Sequence, residues 1–214
     1  MTDHPTRDTD DLVLKKEPQQ SRSRALVEAV LEASTRILVD EGWEAYTVQR
    51  VCEVAGVSPG SLYQYFPSKE AISYALLRRH AEEVVNQVVG ALSAYADAPL
   101  DTLIDHTVEA FVVAHRPRPR LHALLGAHVA RGAGPGLEDD VLNQATTLLE
   151  RLIERRAQEV PGHDTHVLSF LLVYTVEGAV HSAARRQPEL LRSPAFLAGL
   201  QTMARALVHT PPGR

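Results

Sequence analysis

The stretch from Thr47 to Lys69 reads TVQRVCEVAGVSPGSLYQYFPSK and predicts two short helices joined by a tight turn. Val48, Val51 and Cys52 recur at helical spacing and form the apolar stripe of the first helix. Thr47 precedes this stripe and supplies a side-chain oxygen that can cap the helix. The first half of the stretch therefore predicts a helix with one buried face.

A turn and a second helix follow. Gly56 suits the left-handed conformation that ends many helices, and Ser58 can cap the next helix. Pro59 then stands at the first helical position, where its missing N–H has no cost. Leu62 and Phe66 are four residues apart and are expected to point inward.

Two helices joined in this way outline a helix-turn-helix, whose second helix lies in the DNA major groove. The residues left on its outward face are small or polar: Gly60, Ser61, Gln64 and Tyr65, with Tyr63 at the flank. Gln64 can bond base edges, Ser61 and the tyrosine hydroxyls can reach phosphates, and Gly60 permits close approach of the backbone. An αα-corner in an unrelated helical protein, with tyrosines that only pack, fits the same physical pattern.

The order and spacing of this stretch resemble the signature of the TetR family of transcriptional regulators. The resemblance lies in Thr47-Val48, in VAGVSPGSLYQYF from Val54 to Phe66, and in Ser68-Lys69-Glu70. The preceding helix, with Gly42-Trp43 at its exit, resembles that family's first helix, so the likeness extends over roughly residues 22 to 75. Cys52, where the family usually has a small apolar residue, and Pro67 depart from the pattern without threatening the assignment.

Composition favours an all-α protein, because 44% of the 214 residues are hydrophobic and Leu, Val and Ala recur at helical spacing. The net charge of −5 means that DNA binding must depend on local placement of Lys and Arg. The single cysteine, Cys52, excludes an intrachain disulfide framework, and we interpret it as a core residue rather than a redox sensor. Without a signal peptide or an apolar run near the ~18 residues of a membrane span, we expect a cytoplasmic protein with no membrane partner.

Three segments are expected. Residues 1–20 are polar, of mixed charge and broken by prolines, which predicts a disordered arm; residues 21–67 form the helix-turn-helix DNA-binding domain. Residues 68–214 form a larger helical domain for effector binding and dimerisation. The basic candidates for phosphate contact are Arg22 and Arg24 at the start of the first helix, Lys69 after the motif and, less strongly, Lys15 and Lys16 in the arm.

In the C-terminal part, periodicity predicts helices at about Leu100–His115, Arg120–Ala130, Leu137–Val160 and Asp164–Arg186, and a last helix from Ser193-Pro194. The fourth of these is apolar around much of its girth and is therefore expected to be covered on two sides. A homodimer can bury the last two helices as a four-helix interface; alternatively, they close a monomeric core. The TetR resemblance implies the dimer.

Ten histidines raise the question of chemistry. His163 and His166 are three apart, but two ligands do not make a metal site, and a capping loop explains them better. No glycine-rich phosphate loop, nucleophile elbow or H-E-x-x-H pattern occurs, so we expect no enzyme, no cofactor and no metal. The TetR resemblance implies an effector cavity among the C-terminal helices, for which the candidate polar residues are His106, Glu109, His128, Tyr174, Glu177 and His181.

The function implied is a TetR-type regulator that binds a palindromic operator as a homodimer, most simply a repressor released by a small molecule. In this interpretation Ser58, Gly60, Ser61, Tyr63, Gln64, Tyr65 and Lys69 contact DNA, and Thr47 presents the first motif helix to a phosphate. The alternative is a helical small-molecule-binding or metal-dependent protein whose headpiece no longer reads DNA.

Overall fold

The computed structural model describes residues 14–15, 21–119, 121, 124–125 and 137–210, with side chains from Val141 onward in the last range. Every regular element in these residues is helical, which confirms the all-α fold. The α-helices are α1 Ser21–Asp40, α2 Val48–Ala55, α3 Pro59–Tyr63, α4 Lys69–Ala94, α5 Leu100–His115, α6 Leu137–Arg155, α7 Thr165–Arg186 and α8 Pro194–His209. Short 3₁₀ turns lie at Ala157–Glu159 and Pro188–Arg192.

The described residues fall into two compact units. The first contains those up to His80 together with those between 120 and 136, and the second contains those of 81–119 and 137–214. Helix α4 therefore contributes to both units. The functional boundary expected after residue 67 stays a prediction, and the expected helix Arg120–Ala130 lies largely outside the described residues.

Helix α1 buries an apolar stripe along one face. Its buried residues are Val27, Val30, Leu31, Ala33, Ser34, Thr35, Ile37 and Leu38. Gly42 ends it in the left-handed region with φ 85°, and its N–H donates to the carbonyl of Ile37 at 2.9 Å. An ion pair of 3.1 Å between Glu28 and Arg79 joins α1 to α4.

The predicted caps of the motif are present. The Thr47 hydroxyl accepts from the N–H of Arg50 at 3.2 Å, and the Ser58 hydroxyl accepts from the N–H of Ser61 at 3.1 Å. Between them Gly56 has φ 67°, and its N–H donates to the carbonyl of Cys52. The chain direction is thus fixed at both ends of the turn.

Helix α3 is shorter than expected. The spacing of Leu62 and Phe66 predicts a helix through both residues, whereas α3 ends at Tyr63. The N–H of Tyr65 donates to the carbonyl of Leu62 at 3.0 Å, which tightens the last turn into 3₁₀ geometry. Leu62 and Phe66 are nevertheless both fully buried, as predicted.

The two aromatic residues that follow α1 differ in burial. Tyr46 is fully buried, and its hydroxyl accepts from that of Ser73 at 3.4 Å. Trp43 is half-buried, and its ring lies 5.5 Å from that of Tyr46. Cys52 is buried, and burial raises the pKa of its thiol, as expected for a core cysteine.

The second unit is built from α5 to α8 and the end of α4. Helix α6 ends at Arg155 rather than at the expected Val160, and a 3₁₀ turn follows. The guanidinium of Arg156 holds that turn, since it donates to Glu159 at 2.6 Å and to the carbonyl of Ala98 at 2.6 Å. Asp164 caps α7 and Ser193 caps α8.

Helix α7 is the one helix in the described ranges whose length and composition would allow it to cross a membrane. Length and composition are weak evidence for a membrane span, because core helices of soluble proteins have the same properties. Leu168, Leu172 and Val180 are buried in the core of the second unit, while Phe170 and Leu171 are exposed. Helix α7 therefore packs against α5, α6 and α8 and leaves one apolar face exposed.

Substitution of Gly56 tests the left-handed turn against a matched glycine. An added Cβ meets no atom within 4 Å at Gly56 or Gly60, but only Gly56 has a positive φ. We expect Gly56→Ala to lower the free energy of unfolding by about 1–2 kcal/mol, and Gly60→Ala to leave it unchanged or raise it by up to about 1 kcal/mol. Urea unfolding followed by fluorescence of Trp43, the single tryptophan, measures both; equal effects would contradict the turn geometry.

The buried phenol of Tyr46 makes the folding stability depend on pH in the alkaline range. Burial raises the pKa of Tyr46 from its ordinary value of 10.0 to about 12, against a lowering effect of the bond to Ser73. The unfolded chain therefore loses this proton first as the pH rises, and stability falls from about pH 10 to pH 12. We expect Tyr46→Phe to remove about 2 kcal/mol of this fall, measured by urea unfolding across that range. Tyr63→Phe, which removes an exposed phenol, should retain the full fall.

Candidate functional site

The outward surface of the helix-turn-helix is formed by the loop before α3, by α3 itself and by the turn after it. Ser58, Gly60 and Gln64 are exposed, and Ser61 and Tyr65 are half-buried. Tyr63, expected at the flank, is 45% exposed and is thus more open to solvent than Tyr65. The hydroxyls of Ser58 and Ser61 lie 2.9 Å apart, so the capping serine also orients its neighbour.

The other residues predicted to contact phosphates also lie in the first unit. Arg22 and Arg24 are exposed in the first turn of α1, and Thr47 is exposed at the cap of α2. Lys69 is the first residue of α4, and its ammonium lies 4.9 Å from the centroid of the Trp43 ring. This cation–π contact holds the lysine at the exit of the motif.

Lys15 lies in the segment expected to be disordered. Its backbone N–H donates to the carbonyl of Tyr65 at 3.0 Å. The arm therefore approaches the end of the recognition turn at this residue, while Lys16 lies outside the described residues. No periodicity of the sequence indicated this contact, since a single backbone bond leaves no pattern in side chains.

Arg50 lies on α2 and was not among the site residues predicted from the sequence. Its guanidinium pairs with Glu41 at 3.0 Å and with Glu53 at 3.4 Å. The hydrogen bond from Arg50 lowers the pKa of Glu41, and the same bond raises the pKa of Arg50. The Arg50 guanidinium is therefore paired with two carboxylates.

The second unit contains a cavity of about 190 Å³. Its walls are almost entirely aliphatic and come from the end of α4 and from α5 to α8. The polar side chains in its lining are Thr107, Gln144 and Glu177. The apolar lining residues are Val84, Val85, Val88, Val89, Leu92, Leu100, Leu103, Ile104, Val108, Phe111, Val141, Leu142, Ala145, Leu148, Leu149, Leu152, Ile153, Val160, Leu172, Val173, Val176, Ala204 and Val208.

Of the six residues proposed from sequence for an effector cavity, Glu177 lies in this lining. His106 and Glu109 lie outside it, paired with each other at 3.6 Å on α5. Tyr174 also lies outside the lining and stacks on Phe170 at 4.3 Å. His128 lies outside the described residues. Helical spacing sets the face of a residue but not the depth of the groove beside it, which explains these differences.

His181 is joined to Glu177 and to a residue that sequence reasoning missed. The carboxylate of Glu177 contacts Nδ1 of His181, as the spacing of four predicts. Nε2 of His181 lies 3.1 Å from Nε2 of His115, which is 2% exposed. Nδ1 of His115 lies 2.8 Å from the carbonyl of Phe111. We call Glu177, His181 and His115 the carboxylate–histidine chain.

The two histidines considered for a metal have other partners. Nε2 of His163 lies 3.0 Å from the carbonyl of Leu207, and Nδ1 of His166 lies 3.3 Å from Glu150. Within the residues that the structure describes, no group of three or more His, Cys, Asp or Glu side chains is arranged to hold a metal ion.

A capped helix-turn-helix joined to a helical unit with an apolar cavity defines the class of helix-turn-helix transcriptional regulators. Residues 30–76 match the family model for bacterial regulatory proteins of the tetR family. Residues 99–207, about half of the chain, match the model for the tetracyclin repressor-like C-terminal domain. The chain belongs to the TetR family of DNA-binding transcriptional regulators.

Similar proteins agree with this assignment. The chain is 25% identical over 199 residues to the HTH-type transcriptional regulator UidR of Escherichia coli K12, covering 89% of this chain and 94% of UidR. It is 26% identical over 161 residues to the A-factor receptor protein of Streptomyces griseus, covering 75% and 55% of the two chains. The fold is similar to that of FadR from Bacillus subtilis, solved with stearoyl-CoA, with a TM-score of 0.60, 14% identity, and 85% and 97% of the chains covered.

Proposed function

We propose that this chain is a homodimeric, cytoplasmic repressor whose operator binding is relieved by a small molecule held in the cavity of the second unit. The observation that carries the proposal is the combination, in one TetR-family chain, of a solvent-exposed recognition turn and an apolar cavity. Family members bind DNA operators, dimerise and take small ligands. The cavity supports a ligand-responsive regulator rather than an enzyme, because the described part of its lining is apolar apart from Thr107, Gln144 and Glu177.

DNA contact is assigned to the motif and its basic surroundings. Gln64 is proposed for direct readout of a base, since its exposed amide can both donate and accept. The remaining proposed residues position the headpiece on phosphates or permit its approach: Arg22, Arg24, Thr47, Ser58, Gly60, Ser61, Tyr63, Tyr65 and Lys69. Exposure of most of these side chains in the first unit supports the assignment.

Relief by a ligand requires a link between the cavity and the headpiece. Helix α4 begins with Lys69, after the motif, and its later residues Val84, Val88 and Leu92 line the cavity. A ligand that prefers the cavity shape of one α4 position shifts the population of headpiece positions. A coupling free energy of about 1–3 kcal/mol is typical for such systems.

Dimerisation is assigned to α7 and α8. On α7, Val167, Phe170 and Leu171 are 50%, 46% and 41% exposed and follow one another at helical spacing. The adjacent helix α8 exposes a face of small residues that permits close approach of a second copy: Ala195, Ala198, Gly199, Thr202 and Ala206. A bulky apolar stripe beside a stripe of small residues suits an isologous four-helix interface.

The DNA proposal predicts different outcomes for two substitutions in the motif. Gln64→Ala should relax preference at one base pair by about 1–3 kcal/mol, because it removes a base-edge bond. Lys69→Ala should weaken binding to all sequences alike and reduce the salt slope by about one, because it removes a phosphate contact. Both are measured by titrating the purified protein with DNA fragments flanking its own gene, across a salt series and against random competitor.

Gln87→Ala, which makes the same chemical change at an exposed position of α4 in the second unit, is the matched control and should behave as the unmodified protein. Unchanged base preference in Gln64→Ala would show that Gln64 does not face a base.

Leu171→Glu tests the dimer. The side chain is 41% exposed, so the substitution leaves the fold of one chain intact but buries a charge in the proposed interface. We expect the protein to sediment as a monomer, with unchanged helical content by circular dichroism. Val39→Glu, at a similarly exposed apolar residue of α1, should remain dimeric. A dimeric Leu171→Glu would assign the interface to another surface.

A further inference from the structure

The carboxylate–histidine chain lies beside the cavity, with one member in the cavity wall. Glu177 lines the cavity, His181 lies behind it, and His115 is buried on α5. The ring of Phe111, also in the lining, lies 4.6 Å from that of His115 and 6.2 Å from that of His181. Charged and aromatic groups are therefore concentrated at one part of an otherwise aliphatic wall.

The contacts within this chain require three hydrogens when their donors are counted. The carbonyl of Phe111 only accepts, so Nδ1 of His115 carries a hydrogen. The contact between the two Nε2 atoms requires a second hydrogen, and the contact between His181 and Glu177 requires a third. Two neutral imidazoles carry only two hydrogens. The third is an additional proton, and it balances the negative charge of the Glu177 carboxylate.

Other charged side chains on α8, α6 and the segment after α5 have polar partners away from this chain. Arg205 on α8 pairs with Asp105 on α5 at 2.5 Å, and Glu150 on α6 lies 3.3 Å from His166. Arg116, after α5, donates to the carbonyl of Leu191 at 2.8 Å.

We propose that the cavity takes an apolar molecule with a protonated amine, whose ammonium pairs with Glu177 and displaces the proton that this carboxylate shares with His181. This inference rests on the proposed function, because it names the ligand class of the same cavity. Its basis is that Glu177 is the single acidic side chain in the described lining, which otherwise holds Thr107 and Gln144 as polar groups.

Displacement of the proton shared by Glu177 and His181 follows from charge balance. Pairing of an ammonium with Glu177 while His181 keeps its added proton would leave a net positive charge in an aliphatic wall, which is unfavourable. Release of that proton to the buffer restores neutrality: the imidazole of His181 becomes neutral, and the ammonium hydrogens take over the contact with the carboxylate. The face of Phe111 adds attraction for the cation. A carboxylate ligand lacks both contributions and meets the negative charge of Glu177.

Isothermal titration calorimetry of the full-length protein tests the proposal without DNA. The probes are n-octylamine, n-octanol and octanoate, which share a chain length and differ in the head group, each titrated near neutral pH in two buffers of different ionisation enthalpy. We expect n-octylamine to bind about tenfold or more tighter than n-octanol, since it gains a charge-assisted hydrogen bond. We also expect about one proton to be released per amine bound, and none per alcohol bound.

Glu177→Gln should abolish both the preference for the amine and the proton release. The matched control is Glu109→Gln, which removes a carboxylate on α5 outside the cavity lining and should retain both. Binding of n-octanol or octanoate as tight as that of n-octylamine, or no binding of the amine, overturns the proposal. Proton release by the unmodified protein tests the same claim should Glu177→Gln fail to fold.

A parallel measurement of operator release separates this inference from the proposed function. If n-octanol releases the operator and the amine has no advantage, the ligand class is wrong and the ligand-relieved repressor stands. If the amine binds with the expected dependence on Glu177 and leaves DNA binding unchanged, the ligand class stands and relief by that ligand fails.

Discussion

The left-handed turn at Gly56 is the constraint on which the candidate DNA surface depends. It reverses the chain between two helices that are both capped by side chains, Thr47 and Ser58, so neither helix can shift along its axis without losing a cap. With the direction fixed, burial of Leu62 and Phe66 determines which residues face outward. The exposed face is thus a consequence of backbone conformation and of burial together.

Burial of apolar side chains also organises the second unit. Its helices bury aliphatic faces against one another but leave a space of about 190 Å³, and Glu177 introduces a charge at its wall. A charge beside an apolar space requires a polar partner, and here His181 contacts the Glu177 carboxylate while His115 lies at hydrogen-bond distance from His181. The described cavity lining therefore combines low polarity with one acidic side chain.

Three faces of helix α7 have different surroundings. One face is buried in the core through Leu168 and Leu172, another contributes Glu177 to the cavity, and a third exposes Phe170 and Leu171. This explains why its sequence is apolar around most of the helix although the chain covers it on only part of its circumference. Polar residues remain where a partner within the fold neutralises them.

The sequence by itself determined the all-α fold, the capped motif, most helix bounds and the family, because caps, left-handed glycines and apolar spacing act over a few residues. The contact between Glu177 and His181 is of the same local kind, since the two residues are one helical turn apart. Only the tertiary structure decided that His106 and Tyr174 lie outside the cavity lining and that His115 meets His181, 66 residues further along. Such positions depend on how separate helices pack, and local spacing carries no information about the neighbour that a helix face meets.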